Sequence, residues 1–72
     1  MEYKMIHVGK NGVTPELLGE LKILLKKYKN VKVKFLKAAR EDADRKEISS
    51  EILKHVKVRE SELRGNILTL NL

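Results

Sequence analysis

The stretch VGKNGVTPELLGELKILLKKYKNVKVKF, residues 8–35, changes its hydrophobic period part-way along, and that change sets the fold. Its centre repeats at helical spacing: Leu17, Leu18, Leu21, Leu24, Leu25 and Tyr28 share one stripe, with Lys22, Lys26 and Lys27 off it. That stripe predicts a helix with a core-facing side. Thr14 is a good N-cap, Pro15 suits the first helical position, and Glu16 and Glu20 sit near the positive end of the helix dipole. After Asn30 the apolar residues alternate instead. Val31, Val33 and Phe35 fall on one face and Lys32 and Lys34 on the other, which predicts a half-buried strand with a basic outer face. Upstream, Lys4 to Val8 is a short apolar-biased run ended by Gly9, which also suits a strand. A strand-helix-strand crossover within one sheet is right-handed and leaves its strands parallel.

The remainder extends this pattern. Ala38 to Ala43 reads as a connection, and Asp44 with Glu47 three residues later marks an acid-capped helix start. Ile48, Ile52 and Val56 then follow at four-residue steps. The segment VKVRESELRGNILTLNL, residues 56–72, reads as two strands joined by a turn at Arg64, Gly65 and Asn66, with Leu68, Leu70 and Leu72 alternating inward. Glu60 and Glu62 lie in phase with Val58, so the strand before the turn is expected to carry a bulge or to start late. The expected architecture is a two-layer α/β domain of order β-α-β-α-β-β, a four-stranded mixed sheet carrying two helices, filling residues 1–72 as one domain. The third strand should run parallel to the first two and the last antiparallel.

At 72 residues the chain has room for a single core, and with no cysteine it has no disulfide or thiolate metal site. It shows neither the apolar segment of a secretory signal nor a run long enough for a bilayer, so a soluble, cytoplasmic protein with no membrane partner is expected. Charge is the most informative bulk property. Sixteen Lys and Arg against ten Asp and Glu give a net charge of +6. From Lys22 to Arg40 there are eight basic residues and no acid, whereas the eight basic and ten acidic residues elsewhere nearly cancel. A single-sign segment inside a folded domain favours a polyanion partner. The aromatic residues are only Tyr3, Tyr28 and Phe35, which argues against a platform of stacked bases and for backbone contact.

Parallel strands end on one edge of a sheet, so the connections Gly9–Gly12, Lys37–Arg40 and Arg64–Asn66 should cluster where open α/β sheets hold their ligands. Glycines at 9 and 12 allow unusual backbone conformations and close approach. With Lys10 and the N–H groups of the helix beginning at Thr14, they make a phosphate cradle. The loop lacks the Gly-Lys-Ser/Thr ending of a Walker P-loop and the third glycine of a dinucleotide site. His7 and His55 are far apart, Ser49 and Ser50 have no evident base, and no metal-ligand set emerges, so neither an enzyme nor a cofactor is expected.

Taken in order, VGKNGVTPEL, VKVKFLK and LRGNILTL resemble the CRM domain, the YhbY-like RNA-binding domain of chloroplast splicing factors and ribosome maturation proteins, over Ile6 to about Leu70. The resemblance implies a fold similar to the C-terminal domain of bacterial translation initiation factor three. It further implies RNA binding without catalysis, on large-subunit ribosomal RNA or its precursor in ribosome assembly. Its glycine loop carries onto Gly9, Lys10, Asn11 and Gly12, and its Arg-Gly pair onto Arg64 and Gly65. With the neighbouring basic residues Lys32, Lys34, Lys37 and Arg40, these make the expected RNA-binding set. Two departures stand out. Such domains usually open with an extra basic helix, whose absence would leave a surface for a homo-oligomer or a second partner, and they tend to end in an aromatic and a basic residue where this chain reads Leu70-Asn71-Leu72. The short form looks like small stand-alone archaeal members. The competing expectation is a protein-interaction module docking an acidic partner through the same basic surface.

Overall fold

Seven elements follow one another along residues 4–72, the part of the chain that the computed structural model describes: β1 (Lys4–Val8), α1 (Pro15–Tyr28), β2 (Asn30–Phe35), α2 (Lys37–Asp42), α3 (Arg45–His55), β3 (Glu60–Arg64) and β4 (Ile67–Asn71). Tyr3 lies outside the described residues. The strands form one sheet of order β1-β2-β4-β3. β1 and β2 are parallel, with Ile6 beside Val33 and Val8 beside Phe35. β4 is antiparallel to both β2 and β3, so β3 runs in the same direction as β1 and β2. The mixed sheet and its parallel third strand are those the patterning predicts.

Alternation decides which face is covered. Ile6, Val8, Val31, Val33, Phe35, Leu68 and Leu70 all project to one side and are buried there against Leu21 and Leu25 of α1 and Ile48, Ile52 and Val56 of the α3 segment. Each fully buried side chain of this size contributes roughly 1.5–3 kcal/mol of transfer free energy. The same alternation turns Met5, His7, Lys32, Lys34, Ile67 and Thr69 to the opposite face.

Three helices are present among the described residues where two were expected. The extra one is α2, in the segment read as a connection. Its sequence, Lys-Ala-Ala-Arg-Glu-Asp, consists mostly of good helix formers, but from Lys37 to Glu41 only Ala39 is buried, too little for a periodic signal. Asp44 does occupy the N-cap position of α3, with Glu47 in the first turn, although its side chain makes no capping bond. β3 starts late at Glu60 and pairs with β4 in unbroken register from Glu60–Asn71 to Arg64–Ile67, so the phase break after Val58 is a strand boundary and not a bulge. Two ends of predicted stripes turn outward: Tyr28 is 41% exposed and Leu72 49%.

Candidate nucleic-acid interface

Two backbone bonds organise the carboxyl edge of the sheet. The Leu36 N–H donates to the Val8 carbonyl at 2.9 Å, and the Phe35 N–H donates to the Asn66 carbonyl at 2.7 Å. The end of β2 is thereby tied to the end of β1 on one side and to the β3–β4 turn on the other. Gly9–Gly12, the start of α2 and Gly65–Asn66 consequently converge on one edge, as the parallel arrangement requires.

The Gly9–Gly12 segment is a tight turn. The Gly12 N–H donates to the Gly9 carbonyl at 2.9 Å, and Gly12 has φ +65°, a conformation that favours glycine. Lys10 and Asn11 sit exposed at its tip. Gly9 is different: it has no left-handed φ, and a Cβ placed on it would meet nothing within 4 Å. Neither conformation nor packing requires glycine at position 9 in the free chain.

The start of α1 offers less to an anion than its position suggests. Pro15 has no N–H, the Leu17 N–H donates to Thr14 Oγ1 at 3.1 Å, and the Leu18 N–H donates to the Thr14 carbonyl at 3.0 Å. Only the Glu16 N–H is left from the first three helical positions, beside a residue that is itself acidic. Attraction for a polyanion therefore comes from side chains.

Those side chains form two groups. Lys10, Lys37 and Arg40 are exposed where β1 and β2 end, Lys37 and Arg40 being presented by α2 and not by a loop. Lys34 extends this group onto the open sheet face, beside His7 of β1 and Ile67 of β4, and Lys32 follows beside Met5 and Thr69. Arg64 and Gly65 lie on the same edge but at its far corner, because β4 stands between β2 and β3. At strand spacings of about 4.8 Å, Arg64 is roughly 14 Å across the sheet from β1. Its guanidinium is engaged by Glu62 at 3.0 Å, an exposed pair worth little to stability but enough to offset charge locally. Gly65 has φ +60°, and its carbonyl accepts a bond from Arg45 Nη1 at 3.1 Å. Arg45 thus fastens the turn to the start of α3, a role no sequence pattern marked. Its only signal was a basic residue in the first turn of a helix, where acids are favoured.

Acids bound the site on the helix side. A cleft beside the glycine turn has Lys10, Asn11, Gly12 and Val13 on one wall and Glu47 and Glu51 of α3 on the other. Glu51 also pairs with His55 at 3.4 Å and Lys54 at 3.9 Å. Negative charge on that wall opposes an anion in the cleft, whereas β1 and β2 carry no acid. Among the described residues no helix is long and apolar enough to cross a membrane, and no group of three or more His, Asp or Glu could hold a metal ion.

A family model, the CRS1/YhbY (CRM) domain, matches residues 3–70, a span that takes in the GKNG turn, the Val-Lys-Val-Lys strand and the Arg-Gly hairpin. The chain belongs to the CRM family. CRM domains are RNA-binding domains and the family is not a catalytic one. A comparison with curated proteins returns no match. In this CRM domain the Gly-Lys-Asn-Gly turn and the basic residues of β2 and α2 lie side by side, whereas the Arg-Gly pair stands apart.

Proposed function

We propose that this CRM domain binds structured ribosomal or pre-ribosomal RNA in the cytoplasm, during ribosome assembly, through the carboxyl edge of β1 and β2. Lys10, Lys34, Lys37 and Arg40 contact phosphates there, Gly9 and Asn11 bring the backbone close, and Gly12 sets the turn. Lys32, Arg64 and Gly65 extend the footprint over the open sheet face to the far corner. The observation that carries this reading is the meeting of an exposed Gly-Lys-Asn-Gly turn with the acid-free basic strand β2 and with Lys37 and Arg40 at the start of α2, with the acids of α3 set behind them.

The test is a salt titration with one structured ribosomal RNA fragment. One phosphate at each of Lys10, Lys34, Lys37 and Arg40 contributes about −2.8 to −3.6 to the slope of log affinity against log salt, at roughly −0.7 to −0.9 per phosphate. A flat dependence, or absence of binding at low salt, overturns the proposal. Polyglutamate that competes as well as RNA at equal charge assigns the surface to an acidic protein partner instead.

A further inference from the structure

A second basic surface lies at the other end of α1, about 21 Å along the 14-residue helix from the glycine turn. The helix finishes in Lys26, Lys27 and Tyr28 and caps on Lys29. β1 begins beside it, which places Lys4 in the same patch. Tyr28 belongs to the apolar stripe of α1, yet 41% of it is exposed. The ammonium groups of Lys27 and Lys4 stand over its ring, 5.5 and 5.8 Å from the centroid. None of the ion pairs formed among the described residues involves Lys4, Lys26, Lys27 or Lys29.

The backbone supplies an independent observation. Lys29 has φ +66° and is the only non-glycine residue with positive φ among the described residues. Its N–H donates to the Leu25 carbonyl and its carbonyl accepts from the Leu72 N–H, both at 2.8 Å, so the conformation is held from two sides. Glycine or asparagine is the usual occupant of such a helix cap. A lysine there is conformationally less favourable, and what it adds is charge, next to an exposed ring already flanked by cations.

We propose that Tyr28 is a stacking site for one unpaired base, with Lys4, Lys26, Lys27 and Lys29 on the flanking phosphates. This rests on the reading of the chain as an RNA-binding domain and extends its footprint to the opposite edge of the sheet. An exposed cation–π contact is weak, whereas an ammonium–phosphate bond is charge-assisted on both sides. Bound RNA therefore draws the lysines off the ring and frees its face for a base. One ring makes no platform, but a single splayed base from a loop or bulge needs no more. A fully paired helix has no base to offer, so this site would distinguish RNA with an unpaired segment from a plain duplex.

The experiment compares a hairpin RNA carrying an unpaired loop with a blunt duplex of equal phosphate count. Tyr28→Ala should lose about 5- to 160-fold in affinity for the hairpin, the size of one base–aromatic stack, and nothing for the duplex. Tyr28→Phe should bind both like the parent. To keep the test independent of any folding defect in Tyr28→Ala, fluorescence is followed in a Tyr3→Phe chain, where Tyr28 is the sole tyrosine and there is no tryptophan. Its emission should be quenched by the hairpin and much less by the duplex. Equal quenching by both, or hairpin binding unaffected in Tyr28→Ala, overturns the stacking site while leaving binding at Lys10 intact. Failure of the parent chain to bind either RNA overturns the RNA-binding reading itself.

Discussion

Replacing Gly9 and Gly12 separately by alanine should give opposite results, although the sequence presents them as an equivalent pair. At Gly12 a Cβ would meet nothing within 4 Å, so the cost is confined to the backbone, which sits at φ +65°. A left-handed conformation costs a non-glycine residue about 1–2 kcal/mol. For a domain of this size each kcal/mol moves the melting temperature by about 4–8 °C, so Gly12→Ala should melt lower by roughly 4–16 °C. Gly9 has equally open surroundings and no left-handed φ. There alanine reduces only the freedom of the unfolded chain, and the melting temperature should hold or rise by the equivalent of about 0.4–1 kcal/mol. If glycine at 9 serves close approach to RNA, Gly9→Val should lower RNA affinity in a protein that melts like the parent. Thermal unfolding by circular dichroism and RNA binding by fluorescence anisotropy measure the two effects. A Gly9→Ala protein that loses as much stability as Gly12→Ala refutes this account of the turn.

Other expectations follow from the same geometry. Lys10→Ala with Lys37→Ala should make the salt slope of RNA binding shallower by about 1.4 to 1.8, whereas Lys54→Ala with Lys57→Ala removes the same charge from α3 and the connection after it and should leave the slope near its parent value. Arg64→Ala should weaken binding less than Lys10→Ala, since Glu62 already offsets its charge; an equal or larger loss would move the centre of the interface to the hairpin. Lys29→Gly should raise the melting temperature by about 4–8 °C, through relief of roughly 1 kcal/mol of backbone strain, and should weaken binding of the looped RNA. Thr14→Ala removes the cap on Leu17 and should cost about 1 kcal/mol, read as a lower urea midpoint with an unchanged denaturant slope.

Local pattern determined most of this protein. The alternation from Val31 to Phe35 and the stripe from Leu17 to Leu25 each name a buried face without reference to the rest of the chain, because a strand and a helix repeat with fixed and different periods. Once those elements are known, the handedness of the crossover makes β1 and β2 parallel, and the meeting of the Gly9–Gly12 turn with the end of β2 follows. A helix of six residues is too short to show such a period, and α2 reads in the sequence only as a connection. Tertiary structure decided what depends on neighbours distant in sequence. It set the place of β4 between β2 and β3, which carries Arg64 to the far corner, and the bond from Arg45 that holds the Gly65 turn. It also distinguished the two glycines and exposed Tyr28 beneath the lysines of β1 and α1, since φ angles and cross-element contacts arise from how the chain closes on itself and leave no periodic trace in its sequence.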